Sequence, residues 1–281
     1  MLYFNRRGGR NMNEKVRQSN NLILATHKMT TQQMRLFFYA CSQYKGDLEI
    51  EVSLDDINRV LTEDTGNRGG KQRDKIRETI PTLMRNAIVH IEDEEGEEWC
   101  SALRKSRLNK DDTVVFTFDR SIQKELEEIR GYTWMYLSNL TGMKSTYSIR
   151  LYEFFAMRLG ANNKQEKFDF DLNRLRLYLD CTKKYKAFCD FDKRVLKQAR
   201  KEINEKTNIL MEYKKVIKNR SVVSIKFTFK WKSKDDAIDV EHTVHDPNDP
   251  PAGQRTIYDE GVEDELTKDQ KEAMEMLKEY D

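Results

Sequence analysis

The sequence predicts an α+β fold in which one module, a set of helices followed by a β-hairpin, occurs twice. The second copy is the clearer one. From Phe191 to Ile203, apolar residues recur about every four positions and basic residues occupy the opposite face, which indicates an amphipathic helix. From Ser224 to Trp231, apolar and polar residues alternate, which indicates a half-buried strand paired with a strand from Ile209. This order of elements is typical of the winged helix-turn-helix, which places one helix in the major groove of duplex DNA.

Length and charge indicate two domains and a polyanionic partner. A chain of 281 residues can form two ordinary domains, each with its own core. Residues 235–281 contain 16 acidic and 4 basic residues, a net charge of −12, so the remainder carries +14 within a total of +2. A basic body favours nucleic acid. The acidic tail, which we expect to be disordered, fits a regulatory arm that competes with DNA, a docking strip for a host protein, or a passive solubilising segment.

The chain is therefore expected to contain four segments. These are a basic disordered leader at 1–15, an N-terminal winged-helix domain at 16–131, a C-terminal winged-helix domain at 132–232 and the acidic tail at 233–281. The boundary follows Arg130-Gly131, which closes an amphipathic segment at 121–129. The leader ends near a second methionine, Met12, and is either a DNA-contacting arm or an artefact of the start site.

The first module begins with a helix capped by Thr30 or Thr31 and a second helix that begins after Ser53. The third helix, its recognition helix, contains Pro81, which costs about 3 kcal/mol in a helix interior unless the helix kinks or begins later. Strands at 89–91 and 114–118 flank an acidic turn at 92–98. Phosphate repels that turn, so we expect this wing to point away from DNA, as a dimer contact or as a plain exposed hairpin.

The second module repeats this plan about 115 residues later. The segment beginning Arg150-Leu151 is similar to that beginning Arg35-Leu36, and the hairpin from Ile209 is expected to correspond to the one from Val89. Candidate DNA contacts in the first module lie on the outer face of its third helix: Lys71, Arg73, Lys75 and Arg77. Those in the second module lie in a loop, on the recognition helix and at the hairpin tip: Lys183, Lys184, Lys186, Lys193, Arg194, Lys197, Arg200, Lys201, Lys215, Lys218 and Arg220.

No pattern indicates catalysis, a cofactor or a metal. The glycine-rich stretch at 66–72 lacks the first glycine and the final Ser/Thr of a phosphate-binding loop, since those positions are Thr65 and Gln72. The four histidines do not form the His-hydrophobe-His pair of a rolling-circle nickase, and the four cysteines lack metal-ligand spacing. We expect a protein that is not an enzyme and has reduced cysteines. With neither a membrane-length apolar run nor a signal peptide, the expected location is the cytoplasm, with no membrane partner.

Two stretches of the second module resemble one family. The segment from Lys144 to Phe155 resembles the K-S-x-Y-S-x-R-L-Y-E motif of iteron-binding plasmid replication initiators. The segment from Phe191 to Leu196, with Lys201-Glu202-Ile203-Asn204, resembles their F-x-x-R-V-L and K-E-I-N motif. The resemblance covers about residues 16–232. It implies two tandem winged-helix domains that clamp one repeat of a plasmid origin, a monomer that initiates replication, and a dimer, joined through the first domain, that represses. It also implies the host chromosomal initiator and replicative helicase as partners.

Three function classes fit the sequence to different degrees. The leading hypothesis is a non-enzymatic initiator that binds repeated double-stranded sites at a plasmid origin and recruits host replication proteins. A transcriptional repressor with the same fold is the alternative. A rolling-circle nickase is a third class, which a nicking assay on supercoiled origin DNA with a divalent ion would separate.

Overall fold

The structure, a computed structural model, describes residues 14–61, 71–93, 96–127, 131–160 and 165–233. The predicted acidic tail from 234 onward, the leader up to 13 and most of the glycine-rich stretch lie outside these residues. Within the described part of the chain, every helix is too short or too polar to span a bilayer.

The first half contains a β-α-α unit, a helix pair and two hairpins. Its elements are β1 (Lys15–Ser19), α1 (Asn20–Leu24), α2 (Thr31–Ser42), β2 (Glu49–Ser53), α3 (Leu54–Leu61), α4 (Lys71–Asn86), β3 (Ile88–Asp93), β4 (Gly96–Ser101), β5 (Leu103–Leu108), β6 (Thr113–Phe118) and α5 (Gln123–Glu127). Thr30 caps α2 in a capping box with Gln33, and the Ser53 hydroxyl accepts the Asp56 N–H at the start of α3. Both caps lie where the sequence predicts a helix start.

The second half repeats the plan with a single hairpin. Its elements are β7 (Tyr132–Tyr136), α6 (Leu137–Gly142), α7 (Thr146–Leu159), β8 (Gln165–Asp171), α8 (Leu172–Tyr178), α9 (Phe188–Phe191), a π-helical turn (Asp192–Leu196), α10 (Lys197–Lys206), β9 (Ile209–Lys218) and β10 (Ser221–Trp231). The alternation from Ile225 buries Phe227 and Phe229, and Phe229 stacks on Phe155 of α7 with ring centroids 4.3 Å apart. The two winged-helix modules predicted from the sequence are therefore confirmed.

Sheet topology corrects the predicted correspondence between the hairpins. The sheets have the orders β2-β6-β5 and β8-β10-β9, so the counterpart of the β9–β10 wing is the β5–β6 hairpin. The hairpin from Val89 is β3–β4, a separate two-stranded sheet with no counterpart among the described residues of the second module. The prediction was wrong because it matched hairpins by their position after the recognition helix. It also left out β4 and β5.

Pro81 lies inside α4, which continues to Asn86. Proline has no N–H to donate to the carbonyl of Arg77, so one helical hydrogen bond is missing. Pro81 is exposed, so its ring lies on the solvent side of α4, away from the core that Ile80 and Leu83 join. The helix therefore neither ends nor begins at Pro81.

The two modules meet through matching elements. Strand β1 pairs antiparallel with β7, α1 packs on α7, and α6 packs on α2. Arg35 of α2 donates to the Met143 carbonyl just before α7, at 2.7 Å, and Arg150 of α7 donates to the Ala25 carbonyl before α2, also at 2.7 Å. Both arginines are buried. The sequence repeat thus produces a reciprocal pair of hydrogen bonds between the modules.

Ionisable groups are buried beside Arg150 in this contact. The Glu153 carboxylate lies 3.6 Å from the Arg150 guanidinium, and burial raises the pKa of Glu153 to about 7 although Arg150 acts against the rise. Burial and the positive charge of Arg150 lower the pKa of His27. The Tyr178 hydroxyl donates toward the Arg150 and Ile23 carbonyls, 3.0 and 3.3 Å away, and so joins the same region to both modules.

Candidate nucleic-acid interface

Residues 188–206 form one continuous helix, the second recognition helix, with a π-helical turn near its start. Lys197 donates its backbone N–H to the Asp192 carbonyl, five residues earlier. The apolar side packs into the module through Phe191, Val195 and Ile203, which are fully buried. All five basic residues predicted on the opposite side are exposed: Lys193, Arg194, Lys197, Arg200 and Lys201. The sequence pattern thus gives the correct solvent face of this helix.

Contacts of the recognition helix with its neighbours give a role to two polar residues, Glu202 and Asn204, to which the sequence alone assigns none. Glu202 is buried and accepts the backbone N–H groups of Lys144 and Ser145, each at 3.1 Å, at the start of α7. Asn204 exchanges two hydrogen bonds with the backbone of Met211 in β9, at 2.7 and 3.0 Å. Glu202 and Asn204 therefore attach the recognition helix to the rest of the module and to its wing.

The wing, β9–β10, projects a basic tip. A two-residue turn joins Lys218 to Ser221, and both of its residues, Asn219 and Arg220, have positive φ, 51° and 65°. Such a turn favours Asn followed by Gly, because glycine has no Cβ to strain the backbone. The chain has Arg220 in the glycine position. Lys215, Lys218 and Arg220, the predicted wing contacts, are all exposed.

Asp192 connects the recognition helix to the wing. Its buried carboxylate accepts a hydrogen bond from the Tyr213 hydroxyl at 2.7 Å and lies 3.3 Å from the Lys215 ammonium and 3.7 Å from that of Lys197. Burial, together with the hydrogen bond and the negative charge of Asp192, raises the pKa of Tyr213. The network holds two predicted DNA contacts, Lys197 and Lys215, on either side of one carboxylate.

A second ion pair, between Arg200 and Glu212, also joins the recognition helix to the wing. Arg200 donates from Nε and Nη2 to the Oε1 atom of Glu212 on β9, at 2.9 and 2.7 Å. The two side chains are 51% and 62% exposed, so solvent weakens this pair. They line a groove of about 510 Å³ between helix and wing, which Lys201 and Glu205 also line. The groove brings together predicted contacts from two elements.

The loop before the recognition helix is held by Arg176. This buried arginine donates to the carbonyls of Lys184 and Tyr185, at 3.0 and 2.9 Å, and its guanidinium lies over the Phe191 ring, 4.5 Å from the centroid. Tyr185 itself adopts a φ of 51°. The loop exposes the three predicted lysines: Lys183, Lys184 and Lys186. Arg176 therefore fixes the backbone from which they project.

In the first module the predicted set is only partly described. Arg77 is exposed on α4 and lies 3.5 Å from Asp74, one turn earlier. The side chains of Lys71, Arg73 and Lys75 lie outside the described residues, although their backbone is in α4. The structure shows another basic surface, which the sequence prediction omitted. It consists of four exposed residues, three in strand β5 and one in the turn after it: Arg104, Lys105, Arg107 and Lys110. Their signal was the run Arg-Lys-Ser-Arg ahead of the alternating strand at 114–118.

Among the residues that the structure describes, no group of three or more His, Cys, Asp or Glu side chains could hold a metal ion. The described arrangement instead offers cations along two elements of a winged-helix module. Such side chains can donate to phosphate oxygens and to the base edges of a major groove.

Comparison with known proteins places both modules. Residues 15–156 match the family model described as "Initiator Replication protein, WH1", and residues 171–229 match the one described as "Initiator Rep protein, WH2". The solved structure "Crystal structure of Pi initiator protein in complex with iteron DNA" is similar to this chain with a TM-score of 0.66 and 16% identity, over 79% of this chain and 99% of that chain. The comparison with curated proteins gave no match. Since the first family model alone spans half of the sequence, the chain belongs to the initiator replication protein family.

Proposed function

We propose that this initiator binds directly repeated sites, the iterons, in the double-stranded DNA of a plasmid origin. The observation that carries the proposal is the groove between the second recognition helix and the wing, where exposed cations from both elements converge. The similar Pi initiator was solved with iteron DNA. A helix in the major groove and a wing along the phosphates is the arrangement by which this fold binds a duplex.

The predicted cations divide into two groups. The head groups of Lys197, Arg200 and Lys215 lie 3.7, 2.7 and 3.3 Å from carboxylate oxygens, which favours one direction for each of them before DNA binds. The others are exposed on the helix, loop and wing tip, where they are suited to phosphate contact: Lys183, Lys184, Lys186, Lys193, Arg194, Lys201, Lys218 and Arg220. Contacts of the second group set register and supply affinity for any duplex.

In the first module, the proposed interface is α4 together with strand β5. Arg77 supplies one cation on the helix, and Lys105 and Arg107 supply two on the hairpin that corresponds to the wing. Lys71, Arg73 and Lys75 remain proposed contacts of the same helix. The acidic β3–β4 hairpin is then free for another role, because the module's wing is a different hairpin.

A footprint on the DNA flanking the protein's own gene tests the proposal. We expect a row of directly repeated protected sites, each about two major-groove turns long, with binding that weakens steeply as salt rises because phosphate contacts release counterions. Uniform protection without preferred sites would contradict it. Loss of plasmid maintenance without the protein distinguishes an initiator from a repressor with the same binding. Nicking of supercoiled origin DNA would instead favour the nickase.

We also propose that the protein forms a dimer through the β3–β4 hairpin and acts in the bacterial cytoplasm. Support for the dimer comes from two exposed apolar side chains there, Trp99 at 62% and Ile88 at 49%. Trp99→Lys should weaken self-association in sedimentation, whereas Leu177→Lys, at a similarly exposed residue of the second module, should not. Equal effects of both variants would contradict this surface. Recruitment of the host chromosomal initiator and replicative helicase is supported by the family resemblance alone.

A further inference from the structure

Glu212 lies where a carboxylate opposes DNA binding. It projects from β9 into the groove that the recognition helix and wing enclose, among Lys197, Lys201 and Lys215. A negative charge here repels the phosphates of any duplex that enters the groove. Affinity alone therefore gives no reason for an acid at this position.

The contact between Glu212 and Arg200 supplies a reason. The Arg200 Nε and Nη2 atoms both donate to one oxygen, Oε1, so the guanidinium is fixed in direction by a residue twelve positions away on another element. Among the described residues, Nη1 of Arg200 and Oε2 of Glu212 have no hydrogen-bond partner. The pair thus retains a donor and an acceptor on neighbouring side chains.

A neighbouring donor and acceptor match the edge of a G·C base pair. In the major groove, guanine presents the acceptors N7 and O6, and cytosine presents the N4 amine as a donor beside them. Arginine pairs with guanine, and a carboxylate accepts from cytosine N4. The remaining N–H groups of Arg200, on Nη1 and Nη2, can both be accepted by the adjacent N7 and O6 atoms of guanine, whereas adenine presents N7 beside a donor, the N6 amine, and accepts only one of them.

We propose that Glu212 is a positioning and specificity-determining residue, which directs Arg200 and reads one G·C base pair together with it. The inference rests on the proposed DNA binding and deepens it. Glu212 raises discrimination in two ways, because it orients the arginine at the correct base pair and repels phosphate in every unrelated complex.

The experiment uses the full chain and two duplexes of equal length. One duplex is selected by the wild-type protein from a random library, and the other is unrelated in sequence. Dissociation constants are measured by fluorescence anisotropy at one fixed salt concentration. For Glu212→Ala we expect weaker binding to the selected duplex, tighter binding to the unrelated one and a ratio of the two constants that falls by about tenfold or more.

Glu205→Ala is the matched control. Glu205 is exposed, lines the same groove and has no ion pair among the described residues. Its removal deletes the same charge, so both duplexes should bind tighter and the ratio should stay constant. Glu212→Gln keeps an oxygen that can accept from Arg200 and should retain more of the ratio than Glu212→Ala, which separates orientation from charge.

The Arg200→Ala background completes the test. There, adding Glu212→Ala should lower the ratio much less than it does in the wild-type background, because no guanidinium remains to be directed. The inference is overturned if Glu212→Ala preserves the ratio, if Glu205→Ala lowers it equally, or if the full effect of Glu212→Ala persists without Arg200. A wild-type protein that selects no duplex from the library would instead overturn the proposed function itself. Circular dichroism and thermal melting show whether each variant is folded. If Glu212→Ala is not folded, the same comparison is made with Glu212→Gln.

Discussion

Replacement of Arg150 by methionine tests the contact that joins the two modules. Arg150 is 4% exposed, donates to the Ala25 carbonyl at 2.7 Å and lies 3.6 Å from the Glu153 carboxylate. Methionine fills similar space but leaves the carbonyl without this donor and the acid without its cation. Removing one partner of a buried ion pair costs about 3 to 5 kcal/mol.

The pKa of Glu153 limits that cost. Since this pKa is already about 7, the acid can take up a proton near neutral pH when its cation is removed. We therefore expect Arg150→Met to lower the free energy of unfolding by about 3 kcal/mol at pH 7, the low end of the range. The loss should grow toward pH 9, where a buried carboxylate must ionise, and shrink toward pH 6. Urea denaturation at the three pH values measures it.

Arg35→Met is the matched control, because Arg35 makes the equivalent hydrogen bond to Met143 in the reciprocal position. It should cost about 1.5 to 3 kcal/mol, the value of a hydrogen bond from a charged donor. Adding Glu153→Gln to Arg150→Met should recover stability at pH 9. A loss below about 1 kcal/mol for Arg150→Met, or no recovery in the double variant, would refute the reasoning.

Three further predictions concern single side chains. The pKa of Glu153 is raised to about 7 in the folded state, so the folded protein holds a proton there that the unfolded chain releases above about pH 4.5. Wild type therefore loses unfolding free energy as pH rises from about 4.5 to 7. Glu153→Gln does not titrate at this position, so its unfolding free energy relative to wild type should increase by about 3 kcal/mol over this range in urea titrations. His27, with its lowered pKa, changes stability in the opposite sense over this range, but it is common to both proteins and cancels. Arg220→Gly should stabilise the protein by about 1 kcal/mol in thermal unfolding, because glycine adopts the positive φ of this turn position without strain. It should also reduce the slope of log affinity against log salt by about 0.9, the value of one phosphate contact, and an unchanged slope would remove Arg220 from the interface. Tyr213→Phe should cost about 1.5 kcal/mol of unfolding free energy because Asp192 loses its hydroxyl donor, and a neutral effect would mean that this bond contributes nothing.

Elements with a strong local pattern were predictable from the sequence. The Thr30 cap, the Ser53 cap and the alternation through Phe227 each depend on a few neighbouring residues, and the structure shows them where the pattern placed them. The repeat between α2 and α7 was visible for the same reason. The solvent face of the second recognition helix followed from its period alone.

Features set by distant residues were not predictable in this way. Strand β1 finds its partner β7 more than a hundred residues later, so neither strand carries a local sign of the pairing. Arg35 and Arg150 lie in apolar stretches, and only the packed modules show which carbonyl each one meets. The β3–β4 hairpin follows the recognition helix in the chain but belongs to a separate sheet, so chain order alone matched it wrongly to the β9–β10 wing.

The reciprocal arginines also bear on the proposal that both modules contact one duplex. A duplex contacted by two separately moving domains must restrict their relative motion when it binds, and that loss of freedom opposes binding. Here β1–β7 pairing and two buried hydrogen bonds set the relative position of the modules within the free protein. The relative motion of the modules is therefore already restricted by folding, through the hydrogen bonds of Arg35 and Arg150, and DNA binding does not have to restrict it. For the proposed interface, Arg150 therefore contributes without lying in the groove, because its hydrogen bond positions the proposed contacts of one module relative to those of the other.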